Sequence, residues 1–177
     1  MGDKVKGNFP GLSNVAKLAA DFSPLTQKVA FRLWLQQRAS PTHVFDVLHK
    51  NILKNMGTNL EKNTALLDWL RYTVAYREKP GNSKLYRDEE IYLRLLKLGP
   101  ESTLAFFFQS LRRIPDLKQV GENLQIAQYK LWLRLGMGPD DVANSLGITH
   151  MLESGKVMSD PRFIIYFGFV EVWLRKI

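Results

Sequence analysis

Apolar positions recur along this chain at three- and four-residue spacing almost without a break: Val29, Leu33 and Trp34; Val44, Val47 and Leu48; Leu66, Trp69, Tyr72 and Tyr76; Ile91, Leu95 and Leu98. That spacing lays an apolar stripe along one face of a helix, and the strict alternation that marks a strand is nearly absent. The pattern predicts an all-α chain. Proline placement marks the helix starts. Ser23-Pro24, Ser40-Pro41, Gly99-Pro100, Gly138-Pro139 and Asp160-Pro161 each set a capping residue before a proline, whose missing N–H is harmless in the first helical position. Helices are predicted near 12–20, 24–38, 41–56, 59–78, 88–98, 100–113, 117–136, 139–147 and 160–176, with residues 79–87 as the clearest connector.

Within this pattern lies an internal repeat. Trp34 is followed by Pro41, Val44 and Leu48, and Trp132 by Pro139, Val142 and Leu146, all at an offset of 98 residues. Downstream, Leu66, Trp69, Tyr72 and Tyr76 correspond to Phe163, Tyr166, Phe169 and Trp173 at an offset of 97. Each copy therefore reads as a Trp-bearing helix, a short turn, a proline-started helix and a closing helix with aromatic residues on one face. The Trp and the closing helix's aromatic residues are expected to meet in the core, where a large ring pair adds about 0.5–1.5 kcal/mol beyond burial. The structural core predicted in this way is Trp34, Trp69, Tyr72, Tyr76, Trp132, Tyr166, Phe169 and Trp173.

Composition fits a folded chain and removes several chemistries. At 177 residues and 45% hydrophobic the chain can bury a core as one domain or two small ones, and zero cysteines exclude disulfides, thiolate metal sites and a cysteine nucleophile. The most apolar window, Phe163 to Leu174, is interrupted by Gly168 and Glu171 and falls short of a membrane span, so a soluble protein is expected. The first six residues carry no Ser or Thr at the sixth position, as a myristoylation signal would, and no apolar core of a secretory signal. His43, His49 and His150 are the only histidines; the first two are six apart and face opposite ways on a helix. Asp140-Asp141 and Glu89-Glu90 read as first-turn charges that suit the helix dipole. We expect no catalytic residue, no cofactor and no metal, and hence no enzyme.

Charge points instead to binding. The 25 basic and 17 acidic residues give +8, spread as +5 over residues 1–62 and +3 over 63–177, without a basic block. Arg112, Arg113 and Lys118 flank a turn, and Lys130 and Arg134 lie one helical turn apart; these five are the candidate docking positions for an acidic partner, against a plain solvated face. Two short motifs compete with core packing. Lys28-Val29-Ala30-Phe31 matches the docking motif of type 1 phosphatase partners, and Asp21-Phe22-Ser23-Pro24-Leu25 matches the motif that binds autophagy ubiquitin-like proteins, but both work in extended form. Of the run Phe106-Phe107-Phe108, not all three rings can face inward on a helix, which leaves one for a neighbouring unit.

Leu33-Trp34-Leu35, Ala39-Ser40-Pro41, Val44-Phe45 and Leu48, closed by Leu66, Trp69, Tyr72 and Tyr76, resemble the W and Y motifs of the WY-domain RxLR effectors of oomycete plant pathogens. The second copy departs at Gly138, Ala143 and Phe169, and Leu93, Leu96, Phe106, Phe107, Leu111, Leu117, Val120 and Leu124 before it resemble the additional L motif of an LWY module. The resemblance implies a tandem helical-bundle repeat: an N-terminal segment over 1–19, a WY unit over 20–80 and an LWY unit over 81–177, with the helix at 59–78 as a bridge. It implies a monomeric virulence effector, secreted by the pathogen and translocated into the cytoplasm or nucleus of a plant host cell, its signal peptide and Arg-x-Leu-Arg motif removed upstream. Such an effector acts by binding a host protein. Because some members with this module order capture the scaffold subunit of protein phosphatase 2A, that subunit is the specific expectation. The alternatives are another regulator, in autophagy or vesicle traffic, and less readily a nucleic acid, which would require a concentrated basic stripe.

Overall fold

The computed structural model describes residues 24–54, 60–153 and 160–176. Over these the chain forms α1 (Pro24–Gln36), α2 (Pro41–Lys54), a 3-10 turn (Leu60–Lys62), α3 (Thr64–Arg77), α4 (Asp88–Leu95), α5 (Glu101–Leu111), α6 (Lys118–Arg134), α7 (Pro139–Leu146), α8 (Thr149–Glu153) and α9 (Pro161–Leu174). The fold is all-α, with no strand among the described residues. The described residues divide into two compact units, the first comprising 24–54 and 63–84, the second 60–62, 85–153 and 160–176. The helix expected at 12–20, and residues 21–23 of the motif at 21–25, lie outside the described residues.

In the first unit α3 packs on α2 and α1. The helix expected from residue 59 begins at Thr64, because Asn63 stops it on the N-terminal side. The Asn63 carboxamide oxygen accepts from Leu66 N–H at 3.1 Å and its amide donates to the Ile52 carbonyl at 2.8 Å, so one buried side chain caps α3 and ties it to α2. The Leu60–Lys62 turn before it belongs to the second unit and packs on α5.

In the second unit α6 is the central element, packed on α5, α4 and α9, while α9 also closes on α7 and α5. Close approach of α5 and α6 needs Gly121: a Cβ there would stand 2.7 Å from the Phe108 carbonyl oxygen and 2.8 Å from Leu111 Cβ. Pro100 is itself the cap of α5, one residue later than the expected Gly99, and the helix proper starts at Glu101. The sequence pattern also missed α8. Gly147, at φ 67°, ends α7 in the left-handed region and turns the chain sharply, so that Ile148 is buried and a new helix starts at Thr149. Of the expected L-motif residues, Leu93 points outward on α4; Ile91, Leu95 and Leu98 are the buried set.

Candidate partner-binding surfaces

The large residues of the repeat build a ring triad in each unit. In the first, Trp34 lies 5.8 Å from Phe31 and meets Tyr72 edge-on at 6.0 Å. In the second, Trp132 lies 5.8 Å from Tyr129 and meets Phe169 edge-on at 5.6 Å. Trp34, Trp69, Tyr72, Trp132 and Phe169 are fully buried, whereas Tyr76, Tyr166 and Trp173 are half-buried. Phe31 and Tyr129 complete the triads, and sequence reasoning passed them over although they too stand 98 residues apart.

Polar groups fix these rings. Tyr72 Oη donates to the Ala39 carbonyl and Trp69 Nε1 to the Pro41 carbonyl, both at 2.8 Å, so two side chains of α3 hold the turn before α2. Burial, with a smaller contribution from Tyr76, pushes the Tyr72 phenol well above its ordinary range, so it donates as a neutral hydroxyl. In the second unit Tyr129 Oη donates to the Ile165 carbonyl at 2.8 Å, and Trp132 Nε1 donates to the Glu101 carboxylate on α5. Burial likewise raises the Tyr129 phenol, partly offset by Arg112. An amide relay lies beside it: Gln109 donates to Gln125, Gln125 to Gln128, and Gln128 to the Glu101 carbonyl. These groups satisfy one another, and none is positioned as a nucleophile with its base. Among the described residues no three His, Asp or Glu converge to hold a metal, and His49 packs on Phe45 at 5.7 Å.

The five candidate cations are all exposed and fall into two groups. Arg112, Arg113 and Lys118 sit at the α5–α6 turn, and Lys130 and Arg134 lie on α6 about 18 Å or more further along its axis, at 1.5 Å per residue. Arg112 faces Glu122 at 3.9 Å, and Lys130 shares a small depression with Asp88 and Glu89. Counted unit by unit, the basic character lies elsewhere. The described residues of the first unit carry nine basic and three acidic side chains, and those of the second carry twelve of each. Lys28-Val29-Ala30-Phe31 is helical in α1, with Ala30 buried and Phe31 on the Trp34 ring, so it offers no extended strand.

The second unit also exposes large apolar side chains. Ile126, Ile164 and Phe167 are 47%, 59% and 52% exposed and line a groove of about 570 Å³ together with Tyr129, Gly168 and Val172. Phe106 is the ring of its run left outside, while Phe107 and Phe108 are buried. It lines a second hollow, with Arg113 and Glu61.

Comparison with known proteins accounts for this scaffold. Residues 75–126, from the end of α3 to the middle of α6, match the family described as RXLR phytopathogen effector protein WY-domain. The chain is 29% identical over 147 residues to RxLR effector protein PexRD18 of Phytophthora infestans, covering 80% of this chain and 30% of that protein. It is 26% identical over 152 residues to RxLR effector protein 54 of the same organism, covering 85% and 39%. It thus spans well under half the length of these relatives. In fold it is similar to the crystal structure of PcRxLR12, with a TM-score of 0.63 and 23% identity over 92% of this chain and 36% of that one. The paired ring triads, the all-α architecture and these matches together support an oomycete RxLR effector of the WY-domain type.

Proposed function

We propose that this chain acts as a virulence effector inside the plant host cell, as a monomer that binds a host protein and carries out no chemistry of its own. The observation that supports this reading is how the polar side chains are used. The buried ones are consumed in holding rings and caps, through Tyr72, Trp69, Tyr129 and Asn63, while large apolar side chains are left on the surface of the second unit. A buried, satisfied polar network specifies a fold, and an exposed apolar patch marks an interaction site. Reading the chain as a WY unit followed by an LWY unit, we propose the scaffold subunit of protein phosphatase 2A as the specific partner.

Capture from plant extract followed by mass spectrometry tests the general reading, and calorimetry with the purified scaffold subunit tests the specific one. Heat of binding at tens of micromolar is expected for the intact chain; its absence defeats the phosphatase reading and leaves the effector reading to the capture experiment. Arg112, Arg113, Lys118, Lys130 and Arg134 are the proposed steering positions. Reversing Arg112 and Arg113 to Glu should slow association and flatten its salt dependence, and unchanged kinetics would remove them from the interface.

A further inference from the structure

The apolar groove of the second unit is rimmed by slightly more acid than base, with Glu122 facing Arg112 and Glu171 facing Arg175. Its floor is Ile126 on α6 with Ile164 and Phe167 on α9. Ile126 also lines the adjoining depression of about 230 Å³ at the start of α4, so the two hollows form one continuous face. Four carboxylates line it, Glu122 and Glu171 on one side and Asp88 and Glu89 on the other. Against them stand Arg112 and Lys130, and Arg175, the i+4 partner of Glu171. Acid therefore outnumbers base around this face, in a chain where base outnumbers acid by 25 to 17.

The floor is also supported from its sides and beneath. Phe167 is exposed, yet its ring is held edge-on by Tyr166 at 5.5 Å and lies 6.2 Å from Phe163, and beneath it α9 is pinned to α6 by the Tyr129–Ile165 hydrogen bond. An aromatic anchor fixed before binding loses little rotamer entropy when a partner covers it. A groove between two packed helices, apolar in the middle and charged at the rims, suits an amphipathic helix.

We propose that this face of the α6–α9 groove is a docking site for a basic amphipathic helix of a partner protein, with apolar side chains on Ile126, Ile164 and Phe167 and Lys or Arg side chains over the four carboxylates. An isologous second copy is disfavoured, because it would set the same acidic rim against itself. Nucleic acid is disfavoured by the same carboxylates. The proposal rests on the reading of the chain as a protein-binding effector, and two of the cations proposed for steering, Arg112 and Lys130, stand at the rim of this face.

The test uses the intact chain and three synthetic helix-forming peptides of about 18 residues, five helical turns. One carries Leu at three- and four-residue spacing with Lys elsewhere, one has Glu in place of Lys, and one has the Lys composition with Leu scrambled. Binding is read from the backbone amide shifts of α6 and α9 at about 150 mM salt, where weak long-range attraction is screened. The regular Lys peptide should shift these amides and bind at least about tenfold more tightly than the other two. Phe167→Ala, at an exposed position, should weaken it roughly tenfold, and Glu122→Lys with Glu171→Lys should do the same, with helical content unchanged. Equal effects of the Lys and Glu peptides, shifts confined to the first unit, or indifference to Phe167→Ala would each overturn the proposal. So would a concentration-dependent dimer abolished by Phe167→Ala, which assigns the face to a second copy. Failure of the wild-type chain to capture any host protein would instead defeat the effector reading and leave the peptide result standing.

Discussion

The two units build the same ring triad and fasten it differently. Phe31, Trp34 and Tyr72 in the first correspond to Tyr129, Trp132 and Phe169 in the second, and the central Trp makes its edge contact at 87° and 80° in the two cases. Yet the phenol has changed helices. In the first unit the closing helix supplies it, as Tyr72 to Ala39; in the second the Trp helix supplies it, as Tyr129 to Ile165. The space it needs has changed too. A Cβ on Gly168 would stand 2.7 Å from Tyr129 Oη, and the corresponding position in the first unit, opposite the hydroxyl-free Phe31, is Arg71. Ring shape is what both units keep, and the hydrogen bond that locks it is interchangeable as long as its neighbours make room.

The largest expected effect tests the triad itself. Trp34→Ala or Trp132→Ala should each cost on the order of 3–5 kcal/mol, because each removes a fully buried ring and leaves a cavity. Chemical denaturation of the intact chain measures this. Trp→Phe separates the units further: Trp132 donates to Glu101, whereas Trp34 Nε1 is buried without a partner among the described residues. Trp34→Phe should therefore cost less than Trp132→Phe, and equal costs would show that the Glu101 contact contributes nothing to stability.

Next in size is the coupling between Tyr129 and Gly168. Alone, Gly168→Ala should destabilise by about 1–3 kcal/mol despite the better helix propensity of Ala, since its methyl group meets the phenol. In a Tyr129→Phe background the same change should become neutral or stabilising, a coupling of at least about 1 kcal/mol in a double-mutant cycle. Additive costs would mean the helices move apart to admit the methyl, and the close approach would lose its explanation.

Alkaline pH should separate the units in the same way. Tyr72, Tyr92 and Tyr129 are held protonated above the ordinary phenol range, chiefly by burial, so each favours the folded state less as pH rises past about 10, where the unfolded chain's tyrosines ionise. Their contribution is complete below that pH and falls by up to about 1.4 kcal/mol per pH unit per group above it. Two of the three lie in the second unit, so amide exchange should accelerate there first between about pH 10 and 11. Earlier opening of the first unit would contradict this ordering.

How much of this was legible in the chain follows from distance. The Trp–Pro–Val–Leu spacing and the helical periodicity are local patterns, and they carry the all-α class and the resemblance to WY-domain effectors. Tyr129 was equally available at an offset of 98 from Phe31, but a Phe-to-Tyr change hides an equivalence that the Trp pair displays. The Glu101–Trp132 bond joins residues 31 apart on different helices, and nothing in either segment announces it. The groove is hidden for the same reason. Ile126 and Ile164 each read as an ordinary apolar residue until packing places them on one face. Charge was obscured by the order of the chain: dividing it at residue 62 spreads the +8 over both halves, whereas assigning the described residues to their compact units places it almost wholly on the first.

The smallest prediction concerns the turn after each Trp helix. Arg38 and Gly136 occupy the same place, at φ 53° and 74°, and each turn is closed in the same way, Ala39 N–H donating to the Trp34 carbonyl and Met137 N–H to the Trp132 carbonyl. Left-handed backbone costs a side-chain-bearing residue about 1–2 kcal/mol, and glycine avoids that cost while losing more freedom on folding. Arg38→Gly should therefore stabilise by about 0.5–1 kcal/mol, and Gly136→Ala should destabilise by about 1 kcal/mol. The open space around Gly136, where an added Cβ meets nothing within 4 Å, means that its cost would be conformational and not steric. If Arg38→Gly instead destabilises, Arg38 is held by its side chain in a way that outweighs the strain, and the two turns are alike in shape only.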